Sequence, residues 1–211
     1  VKNSMCRIYY YFLSFTAVSH TCTHTHTFLL ILFFISDSCQ LTLDPNTTHQ
    51  YLCLSEGNRK VTWSDEDQSY PNHPDRFTSH YQVLCREGLS GVCYWEVEWS
   101  GEGVGVSVSY RGISRKGRGL KCLFGSNDQS WRLYCSTSSC YFYHDKDRTD
   151  IPVPTSSRIG VYLDHRAGTL FFYSVSDTMT LLHRVQTTFA QPLYPGFFVD
   201  TGSVKILTPI Q

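Results

Sequence analysis

Two carboxylates, Glu96 and Glu98, alternate within the run CYWEVEW at positions 93–99. On an extended chain, residues at i and i+2 share a face and stand about 6.5 to 7 Å apart. An inverting glycosidase holds its acid and its base at that separation. The chemistry also demands an apolar pocket around one of the pair, which raises its pKa. Trp95 and Trp99 flank the same run with Val97 between them, so the apolar face belongs to those three and the glutamates take the opposite one. Alternating glutamates on a sheet are ordinarily its solvated face. No residue is therefore assigned a catalytic role, and the chain is not expected to be an enzyme.

Other reactive groups lack partners at useful spacing. Cys22, His24 and His26 offer soft and borderline metal ligands, with both imidazoles on one side of an extended segment. A fourth ligand at paired spacing is missing, so no metal is expected. The remaining histidines, His49, His73, His80, His144, His165 and His183, are scattered over loops and strand ends. No GxSxG elbow, GxxxxGK phosphate loop or HExxH helix occurs, and no cofactor is expected. The loop RGISRKGRGLK at 111–121 concentrates Arg111, Arg115 and Lys116. These make a candidate anionic-ligand loop, set against the plainer reading of a solvated variable loop.

The whole-chain numbers narrow the classes further. The 211 residues suit one large domain, and 41% hydrophobic with 15% aromatic residues marks a chain that builds a core. Eighteen basic residues balance eighteen acidic ones, so no global field draws the chain to nucleic acid or to an anionic membrane. Nine cysteines, at 6, 22, 39, 53, 85, 93, 122, 135 and 140, show no CxxC pair and no regular framework. Most sit in apolar runs such as YLCL and YQVLC, as small buried hydrophobes would. That usage predicts a reducing compartment, the cytoplasm.

Residues 1–37 differ in kind from the rest. Thr-His alternation through CTHTHT is what a CA-dinucleotide repeat gives when read in frame, and the segment is expected to be translated non-coding sequence or disordered. A secretory signal, with Arg7 ahead of IYYYFLSFTAV, is the competing reading. The run FLLILFFI is shorter than the roughly 20 residues that span a bilayer. The segment is set aside from the fold argument.

From Leu41 onward, short runs with period-two alternation are separated by Gly, Asn, Asp, Ser and Pro clusters. Such a pattern predicts an all-β sandwich or barrel. Expected strands include YLCLSE, KVTW, YQVLC, CYWEVEW, GVGVSVSY, SWRLYC, YFYH, RIGVYLD, GTLFFYSV, MTLLHRV and SVKIL, with turns at Ser100–Gly103 and in a five-residue loop ending in Gly168. Val104, Val106 and Val108 alternate with Gly103, Gly105, Ser107 and Ser109, so one face of that strand carries almost no side chain. Something is expected to pack closely over it.

Leu43-Asp44-Pro45, LSEGNRKV, GVCYWEVEW, RIGVYLDHRAGTLFFYSV and PLYPGFF follow one another in that order. In this order they resemble the B30.2 (PRY-SPRY) family, in wording close to fish versions that end tripartite-motif proteins, NACHT/leucine-rich-repeat receptors and stonustoxin-like proteins. The resemblance implies a PRY part at 38–90 and a SPRY part at 91–211 of one domain. It implies a bent two-sheet antiparallel β-sandwich, concanavalin-like, whose loops at one end bind a protein partner. It also carries candidate contact residues. The first variable loop maps onto Trp63–Phe77, with its acidic position at Asp65. The aromatic walls map onto Tyr134 and Ser136, and the closing loop onto Phe197 and Phe198. Ser136 departs from the aromatic residue found in an antibody-binding relative, so antibody binding is not carried over. The expected parent is a larger innate-immune or ubiquitin-pathway protein. Alternatives are an appendage of a stonustoxin-like pore-forming protein, or a receptor for a phosphorylated small ligand using Arg111, Arg115 and Lys116. Neither nucleic acid nor membrane binding is expected of the domain itself.

Overall fold

The computed structural model describes residues 38–154 and 156–208. Among them run eleven strands: β1 Leu52–Ser55, β2 Lys60–Trp63, β3 Gln82–Leu84, β4 Val92–Tyr110, β5 Ser130–Ser136, β6 Cys140–His144, β7 Asp147–Ile151, β8 Arg158–Asp164, β9 Thr169–Val175, β10 Met179–Gln186 and β11 Leu193–Ile206. A single 3-10 turn, Leu120–Cys122, joins the described set. None of the described helices is long and apolar enough to cross a membrane.

All the strand pairings are antiparallel, and two long strands build both layers. The first half of β4 pairs with β8, which continues through β9 to β10. The last residues of β11 join that layer to β2 and β1. The second half of β4 pairs with β5, then β6 and β7, while the first half of β11 lies between it and β3. A sheet so continued folds over on itself as the expected bent sandwich.

The fold line is set by glycine. The β4–β11 register slips between Val199 and Thr201 and again before Ser203, beside Gly101 (φ 102°) and Gly202 (φ 88°). A Cβ added to Gly101 would stand 2.7 Å from the Gly202 Cα, so the two strands cross where neither has a side chain. Positive φ there is cheap only for glycine. The expected turn at Ser100–Gly103 is thus a bend inside one 19-residue strand. A second correction concerns PLYPGFF, a strand in the structure and not a closing loop. Its two prolines do not exclude it, because Pro195 sits where the carbonyl, accepting from the Cys85 amide, does the bonding. Strand β7 was not expected, since DRTDI is polar and exposed except at Ile151.

Inner faces follow the alternation. Trp95, Val97 and Trp99, Val104, Val106 and Val108, and Ile159, Val161 and Leu163 are all buried. Phe142 of β6 reaches across the layers to Phe172 of β9 and stacks on His183 of β10, with ring centroids 6.0 and 3.9 Å apart. A smaller core of Phe77, Leu84, Ile113 and Phe124 lies on the opposite side of the second layer.

The cysteines depart from expectation. Cys39 is joined to Cys93, and Cys135 to Cys140 across the β5–β6 hairpin. Cys135 and Cys140 are directly opposed cross-strand residues, close enough for this without a sequence framework. Cys85 and Cys122 are buried free thiols as predicted, and Cys53 is half-buried and free. The Cys22/His24/His26 reading falls outside the described residues.

Candidate functional site

The outer face of the second layer is organised in cross-strand rows. Opposed residues of antiparallel strands share a face, which gives the row Gln82, Phe198, Gly105, Tyr134, Tyr141, Asp150 and beside it Leu84, Gly196, Ser107, Arg132, Tyr143, Arg148. The glycines and serines of β4 are the floor. A Cβ on Gly105 would stand 2.8 Å from the Arg132 Cδ and 3.1 Å from the Phe198 Cβ. One on Gly103 would collide with the Tyr134 hydroxyl. The bare face read from the sequence is therefore occupied by large side chains leaning in from both neighbours.

Loops close one end of this face. Gln82 donates to the Cys122 carbonyl at 2.7 Å and accepts from the Phe124 amide at 2.8 Å, which pins the segment after β4 over β3. Phe124 meets Phe77 edge to face at 5.4 Å. Tyr134, Tyr143 and Phe198 remain half-buried on this face. Tyr134 and Phe198 stand 6.3 Å apart, both half-buried. Burial raises the Tyr134 hydroxyl above the usual phenol range, with help from Asp200.

Arg132 lies under the three rings, at 4.8 Å from Tyr143, 5.4 Å from Phe198 and 5.8 Å from Tyr134. It is only 7% exposed. Burial pushes its guanidinium down to about 10, partly offset by the two tyrosines. Sequence reasoning passed over Arg132 and Tyr143. The signal was available: in SWRLYC the core takes Trp131, Leu133 and Cys135, which leaves Ser130, Arg132 and Tyr134 together on the other face.

The expected site residues divide. Tyr134 and Phe198 come together, and Ser136 continues the same face, its hydroxyl bonded within the hairpin to Ser139. Phe197 is a correction: it is fully buried in the main core, because it precedes Phe198 by one residue on the strand and so points to the other face. Asp65 is exposed in the segment after β2, and no contact joins it to Tyr134 or Phe198 among the described residues.

The basic loop is corrected more fully. Arg111 pairs with Asp75 at 2.7 Å and Asp44 at 3.6 Å. Arg115 donates to the Arg111 carbonyl, lies 4.6 Å over the Phe77 ring, and is pushed down to about 10 by burial. Lys116 donates to the carbonyls of His73 and Arg76. All three bond within the loop cluster, which holds the loops together. The paired glutamates are likewise engaged or solvated: Glu96 accepts from the Tyr94 hydroxyl at 2.8 Å and faces Arg158, while Glu98 is exposed. No cluster of His, Cys, Asp or Glu that could hold a metal occurs among the described residues.

Comparison with known proteins matches this arrangement. Residues 41–89 match the SPRY-associated PRY domain and residues 92–210 the SPRY domain. The beta subunit of stonustoxin from Synanceia horrida is 43% identical over 172 residues, covering 80% of this chain and 24% of that protein. Tripartite motif-containing protein 16 from Mus musculus is 36% identical over 170 residues, covering 79% of this chain and 31% of that one. The chain therefore spans about a quarter to a third of these relatives. The crystal structure of the TRIM65 PSpry domain superposes with a TM-score of 0.79 at 27% identity, over 85% of this chain and 95% of that one. The chain belongs to the SPRY family, with its PRY and SPRY segments forming a B30.2 domain, a protein-interaction module.

Proposed function

We propose that this domain recognises a protein partner through the open end of its outer face, with Tyr134 and Phe198 as anchors, and that it catalyses nothing. The observation that supports this is the half-buried Tyr134–Phe198 pair held 6.3 Å apart over a strand floor of Gly103 and Gly105. Aromatic side chains fixed by their own strand neighbours offer large contact area at little cost in conformational entropy. Ser136 and, from the flanking loop, Asp65 supply a polar rim that tunes specificity. A balanced net charge argues against nucleic acid or a membrane surface as the target.

The test is affinity purification with wild-type protein and with the double variant Tyr134→Ala, Phe198→Ala as baits. Partners enriched on the wild type should be lost from the variant, and unchanged capture overturns the assignment.

In this reading the module belongs to a larger innate-immune or ubiquitin-pathway protein in the cytoplasm. A second reading, an appendage of a stonustoxin-like pore-forming protein, is favoured by the 43% identity to the stonustoxin subunit. The two disulfides suit that secreted setting better than a reducing one. Sequencing the transcript upstream separates them: a RING and B-box, a NACHT domain or a toxin body each implies a different parent.

A further inference from the structure

Arg132 is held by three aromatic rings, but no hydrogen bond or ion pair accounts for its buried charge. A buried cation is ordinarily paired or hydrogen-bonded, because removing it from water is costly. Among the described residues no hydrogen bond and no ion pair reaches its guanidinium. Its Nε is sealed from solvent without an acceptor, whereas the terminal nitrogens are not sealed. The Ser107 hydroxyl, directly opposite it on β4, and the nearby His80 Nε2 are also sealed and without partners. Three ring faces around a guanidinium attract it but accept no directed hydrogen bond. Asp150, the acidic residue in the rows, pairs with Arg148 at 3.3 Å, and Asp200, which acts on the Tyr134 hydroxyl, makes no ion pair with Arg132.

We propose that Arg132 is the receptor for an acidic side chain of the protein partner, an Asp or Glu carboxylate that enters between Tyr134, Tyr143 and Phe198 and pairs with the terminal guanidinium nitrogens. The inference rests on the reading of this face as the docking surface and adds the chemistry of what docks. A planar guanidinium matches a carboxylate bidentately. One uncompensated cation on this face fits a monoanion, and the other arginine in its row, Arg148, is paired with Asp150. Ring walls that exclude water make such a pair strong, in the manner of a central hot spot.

The test pans a phage-displayed library of random dodecapeptides against the full chain. Selected peptides are resynthesised with their acidic residue and with its amide isostere, Asp to Asn or Glu to Gln. Peptides that require Phe198 should share an acidic residue, and the amide swap should weaken binding to wild type about 30-fold or more. Against Arg132→Gln the same swap should change affinity less than about twofold, as a double-mutant cycle requires. The peptide swap on wild-type protein needs no protein variant, so the inference stays testable if Arg132→Gln does not fold. Peptides that need Phe198 but share no acid, or that tolerate the amide swap, overturn this inference and leave the docking surface standing. Selection of peptides indifferent to Phe198→Ala overturns both.

Discussion

Phe197 and Phe198 are consecutive in β11 and point to opposite sides of the sheet: Phe197 is fully buried opposite Val106 in the core, and Phe198 stands half-buried over Gly105 on the outer face. The same dipeptide thus carries a core residue and a half-buried outer-face residue. Phe197→Ala should destabilise the domain by about 3 to 5 kcal/mol through lost burial and a residual cavity. Phe198→Ala should cost less than about 1 kcal/mol, as an outer-face substitution with space around it. Urea unfolding of the two variants checks the contrast.

The bend should be as sensitive as the core. A Cβ at Gly202 would meet the Ser100 carbonyl oxygen and stand 2.6 Å from the Gly101 Cα, at φ 88°. Backbone atoms cannot yield as a side-chain tip does. Gly202→Ala should therefore destabilise by at least about 2 kcal/mol, from conformational strain and overpacking together. Gly112→Ala, with open space around it, is the control and should be close to neutral in thermal unfolding.

Two arginines of the loop cluster should behave differently. Arg76, 6% exposed, donates to the carbonyls of Pro45, Thr48 and Pro71. Replacing it with Ala strands buried acceptors, and a loss of about 3 kcal/mol or more is expected. Arg111 is more exposed, 40% at its side chain, so solvent screens its pairs with Asp75 and Asp44. Arg111→Ala should cost about 1 kcal/mol or less, and high salt should shrink that further. Chemical denaturation at low and high salt measures both.

Acid should weaken the domain through its histidines. Burial lowers the pKa of His49, His80 and His183 below 6.5. A lowered folded-state pKa means that the unfolded chain binds more protons once the pH falls below about 6.5, so stability drops from there until the folded-state values are passed. The urea midpoint at pH 5 should lie below that at pH 7. His183→Phe, which keeps the stack on Phe142, should flatten part of that slope; an unchanged slope contradicts it.

Cysteine accessibility should follow the pairing. N-ethylmaleimide on native protein, read by peptide mass spectrometry, should modify half-buried Cys53 ahead of Cys85. Complete burial raises the Cys85 thiol well above its ordinary range and keeps it protonated. Cys135 and Cys140, paired and buried, should react only once the protein is both reduced and unfolded.

The sequence by itself determined the layers and their faces. Period-two alternation placed Val104, Val106 and Val108 and Ile159, Val161 and Leu163 in the core, since a side chain on a strand has two directions only and apolar ones choose the dry one. It also marked the bare β4 face, because that is a property of a single strand, whereas Tyr134 was singled out only through the family resemblance. Tertiary structure decided what alternation does not encode. Whether Ser100–Gly103 turns or bends depends on β11 crossing there. Which cysteines meet depends on which strands are opposed. The fates of the charges were settled by neighbours remote in sequence: Asp75 and Asp44 neutralise Arg111, while Tyr143 and Phe198 cover Arg132 and bring it no anion. Charge is legible in a sequence, but its compensation is a distance between strands, and only the folded sheet fixes that distance.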